Sequence, residues 1–140
     1  MSLSTKSMVM VTIIANLALP AFAQSSADTI VLPPEIYDDF AVIGYVNSAQ
    51  KQCPGAKVNE RNFNKMMTAT LVDVNKLGID PVEAVNSLST EAGQAQMKQR
   101  ETAFRARHGV SADGVEALCA AIEEESADNK SFRKLVKFKK

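Results

Sequence analysis

Two cysteines are the residues of this chain best suited to covalent chemistry. Cys53 and Cys119 are the only cysteines among the 140 residues. They lack the Cys-x-x-Cys spacing of a redox pair or a haem attachment site. In an oxidising compartment an even pair most often forms one structural disulfide. Because such a bond would close a loop of about 67 residues, it would stabilise the fold by roughly 4 kcal/mol on the loop-entropy argument.

His108 is the single histidine, in the sequence Arg105-Ala106-Arg107-His108-Gly109. We expect it at the C-terminal end of a helix, where a cation is stabilised by the partial negative charge of the last carbonyl groups. The sequence indicates no nucleophile or carboxylate partner that would make it catalytic. One histidine and two bridged cysteines are also too few ligands for a metal ion. We therefore predict no catalytic residue, no metal site, no cofactor and no enzyme activity.

Two further groups have side chains that bind metals in other proteins. Met66 and Met67 lie on a predicted apolar helix stripe, which indicates core packing rather than a copper site. Glu123-Glu124-Glu125 and Asp128 form an acidic run. Consecutive helical residues point about 100° apart and cannot converge on one ion. The run therefore predicts a solvated helix face.

The C-terminal segment is the most strongly charged part of the sequence. Six bases and no acid follow Asn129: Lys130, Arg133, Lys134, Lys137, Lys139 and Lys140. As a basic amphipathic tail, the segment would contact an anionic membrane surface or another envelope protein. Alternatively, it is a terminal helix that packs Phe132 and Leu135 on the bundle, with its lysines paired to preceding acids and carbonyl ends. Nucleic acid is not an expected partner of an exported, near-neutral protein.

The first 23 residues have the three parts of a secretory signal peptide. Lys6 supplies the positive charge, and the stretch from Met8 to Leu19 is mostly apolar. Pro20 ends that stretch, and Ala21-Phe22-Ala23 provides small residues for a signal peptidase. An apolar run of about 12 residues is short for a membrane span. We predict cleavage after Ala23, which places the mature chain in the periplasm or outside the cell.

The mature chain has helical periodicity along most of its length. Apolar residues three and four positions apart predict a first helix that Pro54-Gly55 ends. A second stripe runs from Phe63 to Leu77, and Gly78 follows it as a C-terminal cap. A third helix begins at Pro81 behind an N-cap aspartate and runs towards His108.

Gly93 lies inside the third predicted helix, which leaves open whether this stretch is one bent helix or two. Ser111 or Asp113 is placed to cap a fourth helix that carries Cys119. The segment from Asn129 to Phe138 predicts a fifth. No stretch alternates apolar and polar residues long enough to predict a strand.

The predicted fold class is therefore all-α, a small four- to five-helix bundle. A single helical domain would span residues 35–140, with an extended leader at 24–34 and a basic tail at 129–140. The disulfide would join the end of the first helix to the middle of the fourth. With 46% hydrophobic residues, 16 bases and 16 acids, the chain does not have the composition of a disordered protein. The absence of tryptophan argues against an aromatic-lined pocket, and no small-molecule ligand is predicted.

Four short motifs give the chain from about Tyr37 to Lys137 a resemblance to a known family. They are Lys51-Gln52-Cys53-Pro54, Leu77-Gly78, Leu118-Cys119-Ala120 and Ser131-Phe132-Arg133-Lys134-Leu135. The chain resembles a family of small secreted bacterial proteins defined as a domain of unknown function. That resemblance implies an exported helical domain with one disulfide and no assigned activity. The chain is more distantly similar to periplasmic acid-stress chaperones, from which it departs in its wider cysteine spacing and longer basic tail.

Two functions from different classes follow from these patterns. The first is a non-catalytic accessory or binding protein that presents a surface, such as the basic tail, to the envelope. The second is a stress holdase that loosens on acidification and exposes the phenylalanine- and methionine-rich faces of its helices.

Overall fold

The computed structural model describes residues 30–111 and 113–139. The predicted signal peptide, residues 24–29 of the leader and Lys140 lie outside the described residues. The elements in chain order are α1 (Pro34–Gln52), β1 (Ala56–Val58), α2 (Glu60–Lys76), α3 (Pro81–Ser87), α4 (Glu91–Arg107), α5 (Val115–Asp128), α6 (Lys130–Arg133) and β2 (Val136–Phe138). Helices make up most of the described chain, which confirms the all-α class.

Most helices begin where the sequence supplies a cap. Pro34 takes the first position of α1, which needs no backbone N–H donor. The carboxylate of Asp80 accepts hydrogen bonds from the backbone of Val82 at 2.8 Å and of Glu83 at 3.1 Å. The helix with Cys119 differs from the prediction. Its N-cap is Gly114, with no side-chain cap, instead of Ser111 or Asp113.

The stretch from Pro81 to Arg107 forms two helices. Thr90 caps α4 by accepting a hydrogen bond from the Gly93 backbone N–H at 3.1 Å. The chain turns so tightly there that a Cβ on Gly93 would lie 2.1 Å from the carbonyl oxygen of Ser87. Gly93 therefore marks a close approach of α3 to α4, and of the two alternatives left open by the sequence the stretch forms two helices.

The predicted fifth helix, from Asn129 to Phe138, is wrong beyond its first turn. Asn129 caps α6, which ends at Arg133, and the chain then continues as β2. β2 pairs antiparallel with β1 in the register Ala56↔Phe138, Lys57↔Lys137 and Val58↔Val136. Each strand has three residues, too few for an alternating pattern to be recognised in the sequence. The pairing therefore became visible only in three dimensions.

The core lies on both sides of α1, which contacts α2, α4, α5 and β1. One cluster surrounds Val46, Phe104 and Ile122 near the C-terminal end of α1. The other surrounds Phe40 and Val74 near its N-terminal end, and it includes Leu32 from the predicted leader. The end of the leader thus packs as part of the helical domain. No helix among the described residues is long and apolar enough to cross a membrane.

The predicted disulfide is present between Cys53 and Cys119, whose Cα atoms are 5.4 Å apart. Cys53 is the C-cap of α1, and Cys119 lies in α5. Because the third predicted helix divides into α3 and α4, the bond reaches the fifth helix and not the fourth. It fixes the chain immediately before β1.

Candidate anion-binding surface

The two strands form a short ribbon that starts from a tight turn after α1. The Ala56 backbone N–H donates to the carbonyl of Cys53 at 3.3 Å. Gly55 has φ 78°, as the third position of a type II turn with proline at the second requires. The disulfide at Cys53 holds the first residue of this turn on α5. The ribbon therefore leaves the bundle from a covalently fixed point.

Lys57 and Lys137 are direct cross-strand partners in this ribbon. The Lys139 backbone N–H donates to the Gly55 carbonyl at 3.1 Å, and that of Asn59 donates to the Leu135 carbonyl at 2.7 Å. Because these bonds lie two residues to either side, the lysine pair occupies a hydrogen-bonded position of the ladder. Their Cβ atoms are then about 5 Å apart on one face.

The opposite face of the ribbon is part of the protein core. Val136 is 1% exposed, and Ala56, Val58 and Phe138 pack against the same cluster. Since side chains alternate along a strand, Lys57 and Lys137 must face outwards, and both are exposed. Lys139 continues the alternation on the outward side. We call Lys57, Lys137 and Lys139 the ribbon face.

No carboxylate of the described residues lies within ion-pair distance of the ribbon face. Glu123 borders a hollow of about 380 Å³ that Lys137 also lines, but the two do not form an ion pair. Like charges directly opposite each other destabilise a sheet. The ribbon face is therefore a positive surface with no internal compensation.

The structure separates the six bases predicted as a single contact surface. Lys137 and Lys139 belong to the ribbon face, and Lys134 lies beside it in the turn before β2. Lys130 borders a different hollow, with Glu124 and Asp128. Lys140 lies outside the described residues.

Arg133 is exposed, but its guanidinium has a structural role at the end of α5. Its guanidinium donates to the Ser126 carbonyl at 2.8 Å and also to the Ala127 carbonyl. It therefore satisfies carbonyl groups in the last turn of α5, a role that the alternative of a packed tail gave to the lysines.

The alternative of a packed tail is correct for the apolar residues of the tail and wrong for the pairing of its lysines with acids. Phe132 is 4% exposed and belongs to the main core cluster, and Leu135 packs against that cluster. The apolar half of the tail is therefore core. The expected pairing of its lysines with preceding acids is absent from the described chain: Lys130, Lys134, Lys137 and Lys139 form no ion pair there.

A second polar cluster joins the ends of α4 and α5. His108 is the C-cap of α4, as predicted, and its Nε2 lies 2.6 Å from Oε2 of Glu125. Arg107 donates to the same oxygen at 3.2 Å, and Asn129 donates to the other at 2.7 Å. Glu125 is only 9% exposed. The predicted solvated face is therefore correct for Glu123, Glu124 and Asp128 but wrong for Glu125.

Burial of the Glu125 carboxylate favours its neutral form. Hydrogen bonds from Asn129 and His108 and the charge of Arg107 outweigh that effect and lower its pKa below the ordinary value. Glu125 thus stays ionised and joins α4, α5 and the start of α6. The sequence did not reveal it as the carboxylate partner of His108, because the two residues meet only through helix packing.

The described residues contain no group of three or more side chains suited to hold a metal ion. Beside the His108–Glu125 pair lies Phe104, whose ring meets the imidazole edge-on at 5.0 Å between centroids. Tyr45 stacks on Phe104 at 4.2 Å. Burial, and then the nearby Glu101, raise the pKa of Tyr45 to about 12, so its hydroxyl stays protonated. The contacts among Tyr45, Phe104, His108 and Glu125 hold α1, α4 and α5 together.

Lys57 is the member of the ribbon face that sequence reasoning missed. It lies 80 residues before Lys137, and nothing in its local sequence distinguishes it from other surface lysines. Only the strand register brings the two together. Comparison of the chain with protein-family models, curated proteins and solved structures finds no match.

Proposed function

We propose that this chain is an exported, non-catalytic accessory protein that docks on the anionic membrane surface of the cell envelope through its ribbon face. The observation that supports the proposal is the uncompensated cross-strand pair of Lys57 and Lys137. A local arrangement that lowers stability without a compensating contact is typical of a functional surface. An anionic surface would supply the missing compensation.

Membrane headgroups suit this surface because its positive charge is distributed over several exposed lysines and not concentrated in one pocket. The ribbon face contributes three lysines, and Lys134 and Lys65 lie exposed on neighbouring elements. Each lysine close to an anionic membrane contributes about 1 kcal/mol of binding energy. The disulfide supports export, since such bonds persist in oxidising compartments. Export further predicts that protein recovered from the envelope begins at Gln24.

Vesicle sedimentation with charge-reversal variants tests the docking proposal. We expect Lys57→Glu and Lys137→Glu each to weaken binding to phosphatidylglycerol-rich vesicles by at least fivefold, with the parent protein losing affinity at high salt. Lys98→Glu is the matched control, because Lys98 is exposed on α4 and the net charge changes equally.

Two outcomes would contradict membrane docking. Equal losses for all three variants would mean that net charge, and not the ribbon face, controls binding. No vesicle binding, combined with capture of an acidic envelope protein that Lys137→Glu abolishes, would replace the membrane by a protein partner.

The Glu125 cluster favours a second candidate function, a holdase activated by acid. Glu125 links α4, α5 and Asn129, and its ion pair with Arg107 requires the ionised carboxylate. Protonation would weaken this link beside the core residues Phe104 and Phe132. A holdase would then expose these aromatic rings to unfolded clients.

Acidification separates the two functions. The holdase candidate predicts loss of near-ultraviolet circular dichroism, binding of a hydrophobic dye, and suppression of client aggregation near about pH 3. A chain that keeps its tertiary signal at that pH and does not protect a client is not a holdase of this kind.

A further inference from the structure

A groove opens beside the ribbon, between α1, α2 and the junction of α5 with α6. Its volume is about 450 Å³, within the range of small-molecule sites. Apolar side chains from three helices and the turn before β2 line it: Val42, Met66, Phe132 and Leu135. Val42, Met66 and Leu135 remain partly exposed. The groove therefore presents apolar surface that the bundle does not cover.

The uncompensated charge around this groove is positive. Lys65 and Lys134 line it, and neither forms an ion pair within the described part of the chain. Glu125 is the acid among the lining residues, and Arg107 and His108 already pair with its carboxylate. An anionic group at the groove would thus meet two free ammonium groups.

Two polar side chains of the groove already form hydrogen bonds within the protein. The Asn62 amide donates to the Lys134 carbonyl at 2.9 Å. The side-chain oxygen of Asn129 accepts hydrogen bonds from the backbone N–H groups of Ser131 and Phe132. The side-chain amide of Asn129 donates to the Glu125 carboxylate. The backbone groups of a peptide need hydrogen-bond partners wherever they are buried. A hydrocarbon chain has no such groups.

We infer that this groove binds a single-chain anionic amphiphile, with the hydrocarbon chain against Val42, Met66 and Leu135 and the anionic head between Lys65 and Lys134. The inference rests on the proposed function, because it gives the anionic surface of the envelope a specific lipid component. The chemistry it requires is an apolar chain joined to a carboxylate or a phosphate.

Titrations with short amphiphiles below their micelle concentration test both halves of that chemistry. The readout is the NMR signal of methyl-labelled methionines in the exported protein. We expect octanoate to shift the Met66 methyl and to leave Met97, on α4, unchanged. Octanol lacks the charge and acetate lacks the chain, so each should bind at least fivefold more weakly. Octyl phosphate beside octanoate shows whether the head is a phosphate, as in a lipid headgroup, or a fatty-acid carboxylate.

Two variants with matched controls locate the binding. Measured by isothermal titration calorimetry, Met66→Gln should weaken octanoate binding by about tenfold, and Met97→Gln should not. Lys65→Gln with Lys134→Gln should weaken it further, and Lys51→Gln with Lys98→Gln should not. The circular dichroism spectrum of each variant verifies that it is folded.

Three results would overturn the inference. They are an unshifted Met66 methyl, equal shifts with acetate and octanoate, and tighter binding of an acidic peptide at Met66 than of octanoate. If any one of these occurs while Lys137→Glu still weakens vesicle binding, the groove inference fails and the docking function stands. If no lysine variant weakens vesicle binding and octanoate still shifts the Met66 methyl, the docking function fails and the groove inference stands.

Discussion

At the scale of single residues, two glycines in helices have opposite surroundings. A Cβ on Gly93 would lie 2.1 Å from the Ser87 carbonyl oxygen and 2.8 Å from the Leu88 Cα, whereas a Cβ on Gly44 would meet nothing within 4 Å. We expect Gly93→Ala to lower the free energy of unfolding by about 3 kcal/mol or more, because backbone must move. Gly44→Ala should raise it by up to about 1 kcal/mol, since alanine favours the helix. Denaturant unfolding of both variants checks this, and a stable Gly93→Ala protein would contradict the close approach.

Glu125 makes stability depend on pH in a definite direction. Because its pKa is lowered in the folded state, it stabilises the fold above the ordinary carboxyl pKa of 4.5. That contribution disappears as pH falls through the lowered pKa. Glu125→Gln should therefore destabilise the protein by about 1–3 kcal/mol at neutral pH and make the loss between about pH 5 and pH 3 shallower. Thermal melts across this range measure both effects.

Asp39 is a control for Glu125 because the fold shifts its pKa in the opposite direction. Burial, and then the charges of Asp73 and Asp38, raise its pKa against the hydrogen bond from Thr70. Ionised Asp39 is therefore unfavourable to the fold, and protonation relieves it. Asp39→Asn should steepen the loss of stability on acidification. If Asp39→Asn and Glu125→Gln changed the pH profile in the same direction, this electrostatic account would be wrong.

At the scale of elements, the proposed docking function predicts that substitutions in the ribbon change vesicle binding and stability in opposite directions. Lys137→Glu turns a repulsive cross-strand pair into an attractive one, so the free energy of unfolding should rise by about 0.2–1 kcal/mol. Lys57→Glu should do the same. The double variant restores repulsion between like charges and should return to parental stability. All three proteins should bind anionic vesicles less well, and denaturant melts beside sedimentation separate the two properties.

The disulfide connects α1, α5 and the start of the ribbon. Cys53→Ser with Cys119→Ser should lower the free energy of unfolding by about 4 kcal/mol on the loop-entropy argument. It should also loosen the turn that leads into β1, since Cys53 is the first residue of that turn. Amide hydrogen exchange should therefore accelerate most at Asn59 and Lys139. Ready thiol labelling of both cysteines in the folded, unreduced protein would show that the bond is missing.

At the scale of the whole molecule, the C-terminal segment is part of the core as well as a charged surface. Deleting residues 130–140 removes Phe132 and Val136, which are 4% and 1% exposed. We expect this truncation to cost several kcal/mol and to lower the melting temperature steeply. Removing only residues 139–140 leaves the core intact and should change stability little while weakening vesicle binding. A truncated chain without residues 130–140 that melts like the parent would contradict the packing of the tail.

Local signals in the sequence determined the helices that carry their own periodicity and caps. The stripe from Phe63 to Leu77, the stop at Gly78 and the start at Asp80-Pro81 depend on neighbours within one or two turns. Such local signals define the start and the end of a helix without any tertiary contact. The disulfide was also predictable, because the chain has only two cysteines to pair.

The tertiary structure alone decided which distant residues meet. The tail changes from helix to strand at Val136 because β1 pairs with it, and Val58, the partner of Val136, is distant in sequence. A strand of three residues is too short to be recognised from its sequence pattern. Glu125 left the predicted solvated face because α4 brings His108 and Arg107 against it. The pairing of Lys57 with Lys137, and hence the candidate surface, follows from strand register. Register depends on the packing of Val58 and Val136 on the core, a long-range contact that no local propensity encodes.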